Sequence, residues 1–205
     1  MIPVQFITHQ TSSVTYEQSA MLALEGGCRW IQLRMKGVDD DDVAPIAKRL
    51  LAACRQQGAT FIIDDRVELT QAIGADGVHL GRHDMPVAEA RKLLGEGFLI
   101  GGTANTVDDI RELHRSGADY VGCGPFRFTK TKENLSPILG LEGYAHIMDI
   151  VNREAINIPV CAIGGITLAD VPAIMATGVD GIAVSGAVLQ SDNPVKAMHD
   201  LIHAQ

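Results

Sequence analysis

Positive charge is scarce in this chain. Its 205 residues carry 17 Lys and Arg against 25 Asp and Glu, a formal net charge of -8. Nucleic acid demands a basic face to meet its phosphates, so it is excluded as a partner. Long apolar runs are also missing. None approaches the ~20 residues of a membrane helix, and Met1-Ile2-Pro3-Val4 opens no basic region followed by an apolar signal core. No membrane partner is expected, and the expected location is the cytoplasm. Cysteine is sparse and unpatterned: Cys28, Cys54, Cys123 and Cys161 lack metal-ligand spacing. Cys123 and Cys161 sit inside apolar runs, where cysteine acts as a small hydrophobe, so reduced structural thiols are expected. Linkers and low-complexity stretches are absent too, and residues 1–205 read as a single domain. With 46% hydrophobic residues the chain can bury a sizeable core.

What is present is alternation. Eight short apolar runs stand out: Val4–Ile7, Trp30–Leu33, Phe61–Ile63, Val78–Leu80, Phe98–Gly101, Tyr120–Cys123, Val160–Ile163 and Ile182–Val184. Short continuous runs of this kind suit buried parallel strands. Helical patterns fill the gaps. Thr15 is a candidate N-cap for the first, Asp39–Asp42 suit the positive end of the second, and Gly58 ends it. Pro86 and Pro194 fit first helical turns.

One phrase recurs. Gly74-Ala75-Asp76-Gly77-Val78, Gly117-Ala118-Asp119-Tyr120-Val121 and Gly178-Val179-Asp180-Gly181-Ile182 each place a glycine after a helix and an aspartate before a strand. Glycine can take the left-handed cap conformation before the chain turns into the strand. A strand–helix unit repeated eight times in this length predicts an α/β fold, a closed (β/α)8 TIM barrel. The competitor is an open doubly wound sheet, which would carry one dominant phosphate loop near the start, and none is there.

In a barrel the chemistry lies at the C-terminal strand ends. Gln32, Arg34 and Lys36 alternate with apolar residues, so they share one side, and a guanidinium with an ammonium suits a polyanion such as diphosphate. Asp64 and Asp65 follow the third strand, and Asp84 lies past the fourth. Such carboxylates can hold Mg2+ together with phosphate oxygens. The other reading of each is a helix N-cap, and Asp65 could do both. His79 and His83 lack a third nitrogen or sulfur ligand for zinc, and His79 either packs inside the barrel or bonds to a substrate. Gly122-Cys123-Gly124-Pro125 leads into Arg127, Thr129, Lys130, Thr131 and Lys132, a basic loop suited to a small anion. Gly164-Gly165 and Val184-Ser185-Gly186 end the last two strands, where backbone amides bind a phosphate in many barrels. Two anion sites, one near carboxylates and one rich in glycine, suit a transferase. It would join a diphosphate-activated group to a phosphorylated acceptor.

Six segments then carry a resemblance: Gln32-Leu33-Arg34-Met35-Lys36, Gly74–Gly81, Gly117–Gly122, Thr129-Lys130-Thr131-Lys132, Leu139-Gly140-Leu141-Glu142-Gly143 and Ala162-Ile163-Gly164-Gly165-Ile166. Over almost its whole length the chain resembles the thiamine phosphate synthases. The resemblance implies a Mg2+-dependent barrel that couples 4-amino-2-methyl-5-hydroxymethylpyrimidine diphosphate to a hydroxyethylthiazole phosphate, releasing diphosphate. It assigns Gln32, Arg34 and Lys36 to the pyrimidine diphosphate and Asp65 and Asp84 to Mg2+. Thr103 and Lys132 go to the diphosphate side, and Thr129, Thr131, Gly165, Val184 and Ser185 to the thiazole phosphate. Arg34, Thr103 and Lys132 are the expected catalytic groups. The implied mechanism is dissociative: the C–O bond breaks first and the thiazole nitrogen captures the pyrimidine cation. The partners implied are these two small molecules, with a homo-oligomer allowed.

Two departures stand out. Asp64 replaces the asparagine usual in the family, so it could weaken diphosphate binding, add a metal ligand or contact the aminopyrimidine. Thr103 replaces a serine and keeps the hydroxyl. The related thiazole tautomerase is the nearest alternative, but it resembles the synthase with a histidine after the sixth strand, where Pro125 stands here. A non-catalytic thiamine-precursor binding barrel is the third reading.

Overall fold

The computed structural model describes residues 3–128 and 137–204. Strands and helices alternate along the chain. They run β1 (Val4–Ile7), α1 (Tyr16–Glu25), β2 (Trp30–Leu33), α2 (Asp40–Gln57), β3 (Thr60–Asp64), α3 (Val67–Ile73), β4 (Gly77–Leu80) and α4 (Val87–Leu94). Then come β5 (Leu99–Ala104), α5 (Val107–Arg115), β6 (Tyr120–Cys123), α6 (Gly140–Arg153), β7 (Val160–Ile163), α7 (Val171–Met175), β8 (Gly181–Val184), α8 (Gly186–Leu189) and α9 (Pro194–Ile202). A 3-10 turn, Leu168–Asp170, precedes α7.

All strand pairings are parallel, and the order β1 to β8 closes on itself. Closure comes from β1 against β8, with Val4 opposite Ile182, Gln5 opposite Ala183 and Phe6 opposite Val184. An open doubly wound sheet is therefore ruled out. The core is apolar side chains between strands and helices, with Phe6, Ile31, Phe61, Ile100 and Ile174 fully buried.

The repeated Gly-Ala-Asp phrase has a second purpose beyond ending helices. Gly74, Gly117 and Gly178 have φ of +66°, +85° and +93°, as a left-handed cap requires. The aspartates then stitch neighbouring strands. Asp76 accepts Phe61 N, Asp119 accepts Ile100 N and Asp180 accepts Val160 N, each at 2.7 Å. Each carboxylate takes up the backbone N–H at the start of the preceding strand. The bonds hold the N-terminal rim of the barrel.

Helix caps follow the sequence in part. Thr15 forms a capping box with Gln18, and Thr106 forms one with Asp109. Asp39 precedes α2 and Gly58 ends it at φ +63°. The capping reading of Asp64, Asp65 and Asp84 fails. Helix α3 starts at Val67 after Arg66, and α4 after Pro86, neither with a side-chain cap. Asp65 instead sits at φ +66°, uncommon for a non-glycine residue, with its N–H donated to His79 O at 2.8 Å. Asp84 accepts Gly81 N at 2.7 Å, closing its own turn.

Candidate active site

A cavity of about 570 Å³ opens at the C-terminal ends of the strands. Gln32, Arg34 and Asp64 line one side, His79 and Thr103 the floor, and Gly165, Val184 and Ser185 the other side. These residues come from six different strand ends, and the barrel brings them together. Thr129, Thr131 and Lys132 lie outside the described residues. Thr8, Thr167 and Gln190 also line the cavity. Nothing in their local sequence marked them, although Thr8 follows the first apolar run and so meets the same strand-end criterion. Its Oγ1 accepts Arg34 N at 2.9 Å and fixes the backbone from which Arg34 projects.

Asp64 organises the first side. It is only 5% exposed, and its Oδ1 accepts Gln32 Nε2 at 2.6 Å. Arg34 Nε and Lys36 Nζ lie 3.4 and 3.6 Å from its Oδ2. Lys36 also pairs with Asp65. Burial pushes the Asp64 carboxyl up, against the pull of Lys36 and Arg34. Burial likewise raises Asp65, to about 7, helped by a hydrogen bond shared with Asp84 and by the charge of Asp64. Burial acts to raise Asp84 as well, but hydrogen bonds from Asp65 and from Gly81 N outweigh it and hold that carboxyl low. Lys36 is pushed down by burial and, more strongly, up by the three carboxylates.

The charge of each of Asp65 and Asp84 disfavours the charge of the other, which is why burial splits them into one raised and one lowered carboxyl. A hard divalent cation would relieve the same repulsion. Among the described residues no group of three or more His, Cys, Asp or Glu is arranged for a metal ion. Two carboxylates suit Mg2+, which completes its shell with water and phosphate oxygens.

The floor is a polar ladder inside the barrel. Gln5 Nε2 donates to Tyr120 OH at 3.2 Å, Tyr120 OH meets His79 Nδ1 at 3.2 Å, and His79 Nε2 meets Thr103 Oγ1 at 3.0 Å. His79 therefore packs inside the barrel, as one of the two readings held. Burial keeps Tyr120 protonated by raising its phenol far above the usual range. Thr103, the residue nearest the mouth, presents the hydroxyl expected of it.

The far side is built by backbone. Gly165 has φ +70°, and a Cβ there would lie 2.5 Å from Arg127 Cγ. Gly124 lets the β6 loop close on β7, since a Cβ would lie 2.2 Å from Ile163 O. Ser185 Oγ is buried and has no hydrogen-bond partner among the described residues. Arg127 does not add free charge to the loop. It pairs with Asp170 through two bonds of 2.6 and 2.8 Å and reaches Gly165 O at 3.2 Å. The sequence held no sign of this partner, which lies 43 residues away.

Comparison with known proteins adds names to this geometry. A family model described as "Thiamine monophosphate synthase" matches residues 4–188. A thiamine-phosphate synthase from Phocaeicola vulgatus is 59% identical over 194 residues, covering 95% of this chain and 93% of its own length. One from Bacteroides fragilis is 57% identical over 196 residues, covering 96% of both chains. Among solved structures, the thiamine phosphate pyrophosphorylase from Pyrococcus furiosus superposes with a TM-score of 0.86 at 35% identity, covering 98% of this chain and 93% of that one.

Proposed function

This chain belongs to the thiamine monophosphate synthase family, transferases of thiamine biosynthesis, and we propose that one barrel mouth holds both phosphorylated substrates at opposite ends. The reaction joins the hydroxymethylpyrimidine diphosphate to the hydroxyethylthiazole phosphate and gives thiamine phosphate and diphosphate. The support for this reading is a single cavity with Arg34 at one end, Lys36 beside it against Asp64 and Asp65, and a glycine turn with a buried serine at the other end.

Arg34 and Lys36 take the diphosphate end, with Gln32 and Asp64 beneath them. Asp65 and Asp84 would hold Mg2+, which when bound would supply positive charge to the diphosphate. Thr103 places a hydroxyl toward the same end. Gly165, Val184 and Ser185 take the thiazole phosphate, whose oxygens meet backbone N–H groups and Ser185 Oγ. Lys132 is assigned to the diphosphate, and Thr129 and Thr131 to the thiazole phosphate, on resemblance alone.

Among the described residues the cavity lining holds no activated nucleophile. Cys28, Cys54, Cys123 and Cys161 are free but buried. That absence fits a dissociative path. The C–O bond of the pyrimidine breaks as Arg34 and Lys36 stabilise the leaving diphosphate, and the thiazole nitrogen then captures the cation. Holding the two substrates end to end supplies the rest through proximity. Pro125, at the place where the tautomerase has histidine, has no titratable group and so cannot shuttle a proton.

Residues 1–205 act as one catalytic domain in this reading. Among the described residues no helix is long and apolar enough to cross a membrane, and free buried thiols suit a reducing cytoplasm. The test is to incubate the protein with both substrates, with Mg2+ or with EDTA. Thiamine phosphate should form only with the metal. Metal-independent isomerisation of the thiazole, with no thiamine phosphate from both substrates, would support the tautomerase reading instead.

A further inference from the structure

We propose that Asp64 makes capture of the diphosphate depend on the divalent cation, by cancelling the charge of Arg34 and Lys36 whenever the metal is away. The inference rests on the reading of Asp65 and Asp84 as the metal pair. It concerns a residue to which that reading gives no separate task.

The geometry around Asp64 is unusual for an ion pair built for stability. Its Oδ2 is buried and accepts no hydrogen bond among the described residues. Arg34 Nε and Lys36 Nζ stand 3.4 and 3.6 Å away, against 2.6 Å for Arg127 and Asp170. The Arg34 guanidinium donates no hydrogen bond to any described residue, so its fork remains available to a bidentate anion. Asp64 therefore takes the charge of its neighbours without occupying their donors. It lies beneath them, 5% exposed, where an incoming anion cannot displace it.

Among the described residues the charges near this end are Arg34 and Lys36 against Asp64, Asp65 and Asp84; Lys132, assigned to the same end, lies outside them. An ionised Asp64 takes one unit from the positive charge that a bare diphosphate meets there, and a divalent cation at Asp65 and Asp84 would add two. With a neutral residue at position 64 that repulsion is gone, and Arg34 and Lys36 would hold diphosphate with less help from the metal. The repulsion from Asp64 scales with the charge of the ligand. It therefore penalises bare diphosphate more than its magnesium complex, which carries two fewer negative charges. Across one cavity wall a single buried charge is worth about tenfold in affinity per ligand charge, less with salt.

Asparagine is the natural probe, since its Oδ1 can still accept the Gln32 amide. Calorimetry at about pH 8, well above the usual carboxylate range, would measure binding of inorganic diphosphate to the wild type and to Asp64→Asn. Each protein is titrated once in EDTA and once in excess Mg2+. The expected result is that Asp64→Asn tightens bare diphosphate by about tenfold or more. The magnesium complex gains clearly less, so the advantage conferred by the metal shrinks. A metal advantage of equal size in both proteins overturns the role of Asp64 and leaves the metal pair standing. No metal advantage in the wild type, with no Mn2+ bound to the protein by electron paramagnetic resonance, overturns the metal reading itself. Asp64→Ser supplies a second neutral variant if the asparagine protein does not fold, and it should narrow the advantage likewise.

Discussion

Removing Arg127 should loosen the phosphate turn without touching the diphosphate end. Arg127 and Asp170 join the β6 loop to the turn before α7 through bonds of 2.6 and 2.8 Å, and Arg127 also holds Gly165 O at 3.2 Å. Asp170 further accepts Thr167 N at 2.8 Å and Thr167 Oγ1 at 2.6 Å. Its side chain is 16% exposed, but that of Arg127 is 45% exposed. Solvent therefore screens part of a bidentate pair, leaving about 1 kcal/mol. A double-mutant cycle of Arg127→Ala and Asp170→Ala, followed by urea unfolding, isolates that coupling from the lost cap and from Arg127 stacking on Phe126. Burial acts to raise the Asp170 carboxyl, but the bonds from Arg127 and Thr167 outweigh it and hold it below the usual range. The folded protein then binds fewer protons at this group than the unfolded chain, so stability rises with pH there. The coupling should be constant from about pH 5 to 8 and fade below about pH 4. In activity assays Arg127→Ala should raise the KM for thiazole phosphate severalfold and leave that for the pyrimidine substrate unchanged. A coupling near zero at neutral pH, a coupling that grows on acidification, or equal effects on both substrates would refute the reasoning.

Asp65→Asn and Asp84→Asn should each raise the Mg2+ concentration needed for half-maximal thiamine phosphate formation and lower kcat, because each removes one hard ligand; a Mg2+ titration of rate checks this. Gly165→Ala should cost on the order of 1–2 kcal/mol in urea unfolding, from its left-handed backbone and the contact with Arg127, and should weaken thiazole phosphate binding. Burial raises the thiols of Cys28 to about 11 and of Cys54, Cys123 and Cys161 to about 12. Iodoacetamide at neutral pH should therefore leave the native protein unmodified and label all four only in urea, as mass spectrometry would report.

The strands were legible because each buried parallel strand is a short apolar run, and the helix caps because threonine and glycine have local jobs. Strand ends then named the candidate site, and the barrel gathers most of those residues around one cavity. What the sequence concealed was pairing across distance. Asp76, Asp119 and Asp180 read as residues that precede strands, and only the folded rim shows that each binds the strand before it. Arg127 read as loop charge because Asp170 sits on another strand's loop. Asp64 and Asp65 read as carboxylates for Mg2+ or, alternatively, as helix caps, because acidic pairs before helices often cap. Arg34 and Lys36 after β2, and Asp84 after β4, come from other segments and draw both carboxylates away from capping. The polar ladder from Gln5 to Thr103 was equally hidden, as its members are single polar residues spaced along four different strands.

In the proposed arrangement the two phosphorylated groups bind at opposite ends of one mouth, with the metal at the end marked by Asp65 and Asp84. Phosphorus NMR with Mn2+ in place of Mg2+ tests this most directly, on the protein saturated with inorganic diphosphate and thiazole phosphate together. The paramagnetic ion should broaden the diphosphate resonances strongly and the thiazole phosphate resonance much less, and Asp84→Asn should weaken both effects. Stronger broadening of the thiazole phosphate, or equal broadening of the two, would contradict the arrangement.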